Sequence, residues 1–425
     1  MLTEEGYLPR IIDSRIDDLL KAFGAVCVEG TKWCGKTWTC LNHSNSVYYV
    51  ADPTGNFQNK RLAELDPPYA LEGETPHLID EWQEVPGLWD ATRFAVDRSR
   101  DKGRFLLTGS SVPPKISTVH TGTGRIKRLT MRPMTLAESG DSTAAVSLGA
   151  LFDGELGRHH ENVSLDKIIW LAMRGGWPGA LGLDEKSTLE IPLHYIDETV
   201  NKDMSKVDNR KRDSGKVRRL LYSLARNNMT MVTNDTLIKD VLVNGTVKGF
   251  SEPTLISYLG VLKKLFMIEE LPGWAPKLRS RSRIRASSKK HFVDPSLAIA
   301  SLSATADTLR GDLNTFGFLF ENLVIRDLKV YAEFLGGKVY HYHDATGLEV
   351  DAIVELPDGR WAAIEVKLGA TQEDEAAESL IGVEKKIVKA GGKPPAFKAA
   401  ICGVCNFSYQ RADGVYVFPI TALGA

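Results

Sequence analysis

Cysteine is scarce in this chain, with 5 in 425 residues. An odd and sparse set does not build a disulfide framework, so the sequence points to a reduced, cytoplasmic protein. Its one close pair, Cys402-Gly403-Val404-Cys405, has no partner pair and an apolar setting, and reads as strand and turn filling. Long apolar runs are missing too. None approaches the ~20 residues a membrane helix needs. The opening residues, MLTEEGYLPR, lack the basic head and apolar run of a secretory signal, so no membrane association is expected. Nor does one sign of charge dominate: 53 Lys and Arg face 54 Asp and Glu, for a net charge of −1. A globally basic chain is excluded, and any nucleic-acid surface must be local. No internal repeat or low-complexity tract is evident. The length allows roughly two to four domains with ample cores.

The most informative stretch is Gly30-Thr31-Lys32-Trp33-Cys34-Gly35-Lys36-Thr37, a G-x-x-x-x-G-K-T pattern. Ala25-Val26-Cys27-Val28 leads in like a buried strand, and Trp38-Thr39-Cys40-Leu41 follows like the start of a helix. In that setting the loop's backbone N–H groups wrap phosphates. Lys36 reaches the β- and γ-oxygens, and the Thr37 hydroxyl ligates Mg²⁺. A second motif, His77-Leu78-Ile79-Asp80-Glu81, is a short apolar strand ending in two carboxylates. Asp80 is expected to hold Mg²⁺ through its water shell, and Glu81 to polarise the attacking water. A third strand, Phe105-Leu106-Leu107-Thr108-Gly109-Ser110-Ser111, ends in hydroxyls. If it lies beside the Asp80 strand, Thr108 and Ser110 are candidates to sense the γ-phosphate or the water.

These residues resemble a known family. Asp80 to Asp90 (DEWQEVPGLWD), Phe105 to Ser111, and Lys32 to Thr37 (KWCGKT) are similar to the prokaryotic AAA-type ATPases that carry a C-terminal domain of unknown function with a restriction-endonuclease-like core. Tyr7 to Asp13, Gly124-Arg125 and Leu129 to Glu138 are similar as well, so the resemblance covers nearly the whole chain. It implies an α/β P-loop AAA-type ATPase core over 1–140, a helical lid over 141–205, a winged-helix domain over 206–300 and an α/β restriction-endonuclease-like domain over 301–425. It also implies ATP rather than GTP, for which no base-reading motif is visible. AAA-type ATPases need an arginine to stabilise transition-state charge, often from a neighbouring subunit. Arg125 is the first candidate and Arg132 the second, and a trans arginine implies a homo-oligomer.

The residues of the middle segment fit the winged-helix expectation. Asn234 to Leu242 reads as a short helix, and Ser251 with Pro253 opens a second whose apolar face is Leu255, Tyr258, Leu259, Leu262 and Leu265. That is helix-turn-helix geometry, used for DNA or for protein contacts. Arg279, Arg281, Arg283 and Arg285 alternate. If extended, they share one face at a spacing of about 6.6 Å, close to the phosphate repeat of a nucleic-acid strand. A charged edge strand is the other reading. Arg210, Lys211, Arg212, Lys216, Arg218 and Arg219 form a second basic cluster.

In the last segment Glu321 lies on an apolar helix, Phe316 to Leu328. Leu348 to Val354 and Trp361 to Lys367 read as a hairpin across a Pro357-Asp358-Gly359 turn. Asp351, Glu365 and Lys367 then form the D-x(n)-E-x-K arrangement of the restriction-endonuclease-like fold, with Val350 in place of the motif's usual proline. Glu321, Asp351 and Glu365 are expected to bind a second Mg²⁺ or a Mn²⁺, and Lys367 to hold or deprotonate the attacking water. Retained ligands do not by themselves establish turnover. Three functions follow: an ATPase that binds and remodels or translocates on duplex or branched DNA, an ATP-gated signalling or defence switch, and a non-catalytic nucleotide-binding scaffold. Lys36, Asp80 and Glu81 together argue against the last.

Overall fold

A computed structural model describes residues 2–111, 122–208, 210–243, 249–276 and 287–425. The N-terminal unit is a parallel sheet of five strands: β1 (Ala25–Gly30), β2 (Ser46–Tyr49), β3 (His77–Asp80), β4 (Phe105–Gly109) and β5 (Ile126–Met131). Their order is β2-β3-β4-β1-β5. β1 and β4 are buried along their whole length, as their unbroken apolar runs require of central parallel strands. Helix α1 (Ile12–Ala22) and the short helix α2 (Lys36–Leu41) cover one face, where Ile16, Val26, Val28, Cys40 and Leu106 pack together. α3 (Thr54–Leu65) follows β2, and α4 (Gly87–Asp97) covers the other face with Trp82, Trp89 and Phe105.

The chain continues through β6 (Val146–Ser147), α5 (Leu148–Phe152), α6 (Leu165–Arg174) and α7 (Glu185–Glu198). α7 runs into a π-helical turn, Thr199–Asp203, and then α8 (Met204–Lys206). Three helices follow, α9 (Ser214–Arg226), α10 (Asn234–Leu242) and α11 (Glu252–Lys264), then an antiparallel ribbon of β7 (Ile268–Leu271) and β8 (Lys289–Phe292). Both expected helices, Asn234 to Leu242 and the one opened by Ser251, are present. The buried helix Pro295–Leu302 packs against α6, α7 and α9. One continuous core runs from Leu136 through all of these helices to Leu423, so the segments expected to be separate units share their interior.

The C-terminal unit is a mixed sheet of β9 (Lys338–His343), β10 (Glu349–Glu355), β11 (Trp361–Gly369), β12 (Phe397–Val404), β13 (Tyr409–Gln410) and β14 (Tyr416–Pro419), in the order β13-β14-β12-β11-β10-β9. The long helix Leu313–Phe334 packs on one face with Ala352, Val354, Ile364 and Ile401. The helix Glu373–Lys389 packs on the other with Val350, Ile353 and Ala363. Val350 and Ile353 share a face because β10 bulges between them: Val350 pairs with Tyr342 and Ile353 with Tyr340. Cys402 and Cys405 lie in the apolar layer under this sheet, as expected of filling residues. The last strand, β15 (Leu423–Gly424), pairs in parallel with β6.

Buried polar groups join the units. Arg326 donates to Asp294 and to Asp327, each at 2.8 Å. Asp294 in turn accepts from the Gly176 backbone N–H, and Asp327 from that of Leu136, each at 2.9 Å. Arg132 pairs with Glu269 and Glu333. Among the described residues, no helix is long and apolar enough to cross a membrane.

Candidate functional site

Parallel strands leave their ligand-facing loops at the carboxyl ends of the sheet, and there the three sequence motifs meet. The loop after β1 needs glycine at two places. A Cβ on Gly30 would lie 2.1 Å from the Met131 carbonyl oxygen, and Gly35 has φ +99° where it starts α2. β4 lies between β1 and β3, so residues ending those two strands meet across it. The Thr37 hydroxyl donates to Asp80 Oδ1 at 2.8 Å. The Lys36 ammonium donates to the Thr31 carbonyl at 2.8 Å, folded over the loop it serves.

The strand expected to sense the phosphate does lie beside β3, with Ile79 opposite Leu107. Its two hydroxyls have different surroundings. Thr108 is buried, donates to Asp80 Oδ1 at 2.6 Å and accepts from the Glu81 backbone N–H at 2.9 Å. It braces the acidic pair instead of facing a ligand. Ser110 lines the cleft and donates to Glu81 Oε2 at 2.9 Å. Gln83 also donates to that oxygen, a partner not anticipated from the sequence. Glu81 has φ +58°, a strained backbone that aims its carboxylate back toward Ser110.

The cleft has a volume of about 940 Å³ and is lined by Lys36, Thr37, Glu81 and Ser110 together with Tyr7, Leu8 and Trp38. Arg10 braces its floor, donating to the Cys34 carbonyl at 2.7 Å while pairing with Glu138 at 3.1 Å. The Cys34 side chain is buried. Thr31, Lys32 and Trp33 were expected to serve the phosphates through their backbone N–H groups, and their side chains turn to the helical unit. Thr31 shares a hydrogen bond with Tyr195, Lys32 pairs with Asp203 at 2.7 Å, and Trp33 stacks on His194 at 5.6 Å. Burial pushes the Tyr195 phenol pKa up, so it stays a neutral hydrogen-bonding group.

The two arginine candidates lie elsewhere. The Arg125 carbonyl accepts from Ala25 N–H at 3.1 Å, which puts Arg125 at the amino end of β1, opposite the phosphate loop. Its guanidinium pairs with Asp97 at 2.6 Å. It does not serve the cleft of its own chain. Arg132 is held in its inter-unit ion pairs. Arg279, Arg281, Arg283 and Arg285 lie outside the described residues. Of the second basic cluster, Arg212 is buried against Asp208 and is not a phosphate contact, whereas Arg210, Lys211 and Arg219 are exposed.

A second group of charges lies where β10 and β11 part. Their ladder ends at Ala352 opposite Ile364, just short of Asp351 and Glu365. Asp351 accepts from the Val366 N–H at 2.9 Å, and Lys367 lies 3.4 Å from Glu365 and 3.2 Å from Glu375. Burial, aided by Asp351 and opposed by Lys289, pushes Glu321 up to about 8. Burial and Asp351 likewise raise Glu365 well above the usual carboxylate range, against the pull of Lys367. Lys289, absent from the expected set, reaches into this cluster from β8, 2.9 Å from Glu321. Among the described residues no three Asp, Glu, His or Cys side chains converge closely enough to hold a metal ion. The expected ligands Glu321, Asp351 and Glu365 are neighbours, but in this arrangement they do not fit a second metal. The Thr37–Asp80 pair does fit one, since a hydroxyl and a carboxylate oxygen meet where hard oxygen donors suit Mg²⁺.

Residues 22–139 match the family described as AAA domain, residues 165–308 a domain of unknown function (DUF8612), and residues 316–423 another domain of unknown function (DUF4143). An uncharacterized protein of Mycobacterium tuberculosis is 24% identical over 363 residues, covering 84% of this chain and 73% of that protein, and one of Mycobacterium bovis matches to the same extent. Among solved structures, the Walker-type ATPase PABY2304 of Pyrococcus abyssi is 17% identical with a TM-score of 0.42, over 71% of this chain and 97% of that one. The ORC2 protein of Aeropyrum pernix is 14% identical with a TM-score of 0.30, over 75% and 96%. The N-terminal unit is an AAA-type P-loop ATPase domain.

Proposed function

We propose that the protein is a Mg²⁺-dependent ATPase that works on duplex or branched DNA as a homo-oligomer, with a nuclease-like C-terminal unit. The observation that carries the ATPase reading is the convergence of Lys36, Thr37, Asp80 and Glu81 at one end of the sheet, with Thr37 bonded to Asp80. Thr37 and Asp80 would hold Mg²⁺, which supplies charge neutralisation at the β- and γ-phosphates when bound. Lys36 swings from the Thr31 carbonyl to the phosphate oxygens. Glu81, turned by Ser110 and Gln83, orients the attacking water and accepts its proton. An arginine completes the charge stabilisation. Arg125, at the far end of the sheet, could supply it only across a subunit interface.

DNA as the partner is favoured by the winged-helix order of α9, α10, α11 and the β7–β8 ribbon, and by exposed Arg210, Lys211 and Arg219. The arginines at 279, 281, 283 and 285 fall between the two ribbon strands in the sequence, where a wing would be. The nuclease-like reading is favoured by Asp351, Glu365 and Lys367 meeting at the parting of β10 and β11 beside Glu321.

A second reading, the ATP-gated switch, is favoured by the outward face of α11. That face carries Glu252, an exposed Ile256, and Lys263, which pairs with Glu270 at 2.6 Å, a poor set for gripping phosphates. The two readings separate in one assay: steady-state ATP hydrolysis with Mg²⁺, alone and with single-stranded, duplex and four-way-junction DNA, with Lys36→Ala as the blank. Stimulation by one DNA form supports the DNA-acting ATPase. Hydrolysis indifferent to all three overturns it in favour of the switch.

A further inference from the structure

The carboxylates at the parting of β10 and β11 are already neutralised from within the chain. Lys289 is only 3% exposed. Its ammonium lies 2.9 Å from Glu321, 3.0 Å from Glu349 and 3.7 Å from Asp351. Its placement follows from strand alternation. Lys289 and His291 face the long helix, where His291 meets Lys329 at 2.8 Å, while Lys290 faces away and donates to the Val232 carbonyl. β8 is anchored in the ribbon unit: Lys289 is paired with Leu271, and the Lys290 backbone bonds to Thr230 and Met229. The carboxylates belong to the long helix and β10. Cation and anions therefore come from two different family-matched segments, 165–308 and 316–423.

An ammonium brings a single positive charge and three donors to a group of oxygen acceptors. A divalent cation seeks the same oxygens. Two cations cannot share them at these distances, since both the ligands and the space are taken and the charges repel. We propose that Lys289 is an intramolecular cation lock, which holds Glu321 and Asp351 closed to a divalent metal until the ribbon unit withdraws it. The proposal rests on reading these carboxylates as the ligands of a nuclease-like site. It adds a control to that site: the lysine comes from the ribbon and the carboxylates from the C-terminal unit, so Lys289 must leave them before a metal can bind.

The full-length protein tests this with Mn²⁺ as the probe, by isothermal titration calorimetry on the otherwise wild-type chain and Lys289→Gln, both carrying Asp80→Ala so that the Thr37–Asp80 site does not contribute. Melting temperature and nucleotide binding verify that the variant folds. The expected result is at least about tenfold tighter Mn²⁺ binding by the variant. Wild type gives an independent readout that needs no substitution. Acetylation of Lys289 by an amine-reactive reagent, followed by mass spectrometry, should be slow in apo protein and several-fold faster with saturating Mn²⁺. If the Asp80→Ala chain binds Mn²⁺, adding Lys289→Gln binds it no more tightly and acetylation is unchanged, the lock is overturned and the metal-site reading stands. If neither protein binds millimolar Mn²⁺, both fall. If the variant gains Mn²⁺ but no DNA cleavage appears, the lock stands and only the nuclease activity fails.

Discussion

Replacing Arg326 with methionine should uncouple the units of this protein. The guanidinium side chain is 1% exposed and the carboxylates of Asp294 and Asp327 are 0% exposed. Methionine keeps the length and removes three charge-assisted contacts, leaving Asp294 with the Gly176 N–H and both the N–H and hydroxyl of Ser296, and Asp327 with the Leu136 N–H. Breaking a buried pair on one side costs about 3–5 kcal/mol, because the abandoned charge remains in a low-dielectric site. Against a total stability of about 5–15 kcal/mol for a typical domain that is a large fraction, and it corresponds to a fall of roughly 10 °C in melting temperature. The loss should be uneven, since Leu136 belongs to the ATPase segment, Gly176 and Asp294 to the middle one, and Asp327 to the last. Differential scanning calorimetry should show one cooperative transition in wild type and two in Arg326→Met. Acid should narrow the gap. Burial, against the pull of Arg326, raises Asp327 to about 6, so the folded state takes up a proton that the unfolded chain does not hold there. The stability this adds is present below the unfolded pKa and lost as pH rises through about 6. Without the arginine the same carboxyl is held higher still, so the variant's deficit at pH 8 should shrink at pH 5. A variant melting within about 2 °C of wild type in a single transition would refute the reasoning.

Glu81→Gln should retain ATP binding and lose about 10²–10⁴-fold in turnover, the usual worth of a positioned proton acceptor; single-turnover hydrolysis measures it, and near-normal turnover counts against Glu81. Tyr195→Phe and Asp203→Asn free Thr31 and Lys32 from the helical unit, and should change ATP affinity about three- to tenfold while shifting Trp33 fluorescence, each bond being worth about 1 kcal/mol. Equilibrium binding with identical constants for wild type and both variants would mean that the loop and α7 are independent. His43 is opposed by burial but held by Asp13 and Asp17, with a net raised pKa. Its contribution to stability is therefore present below its unfolded pKa and lost as pH rises through the folded value, and His43→Gln should flatten the dependence of melting temperature on pH in that range.

The nucleotide site was legible because its chemistry is local. Gly30 to Thr37 and Asp80-Glu81 each carry their role in a few consecutive residues, and the apolar runs before them read as strands that β1 and β3 bear out. What was not legible depends on partners far away in the chain. Thr31 and Tyr195 are 164 residues apart, and Lys32 and Asp203 are 171 apart. Nothing in the loop itself says that its side chains face a helix. Thr108 was read as facing a ligand because it ends an apolar run, but one more residue of register decides whether that hydroxyl meets Asp80 or the cleft. Arg125 follows a glycine-rich stretch near the motifs in sequence. Only the parallel pairing of β5 with β1 sends it to the opposite end of the sheet. Lys289 follows the alternating arginines at 279, 281, 283 and 285 in the sequence, where a lysine reads as one more exposed cation. Its alternation with His291 was the one available hint of burial.

The slip in β10 has a consequence for how this strand tolerates change. Asp351 and Ala352 together stand opposite a single residue, His341, so the strand holds one residue more than its neighbour needs. Odd-numbered Glu349 and Asp351 consequently look the same way as even-numbered Ala352 and Val354. A chain shortened by one between Val350 and Ile353 keeps both halves of the strand facing as they do now. The same deletion two residues further on would roll everything before it through half a turn, carrying Asp351 away from Glu321 and exposing Val350 in its place. At this point of the fold, the arithmetic of the chain matters as much as the identity of its carboxylates.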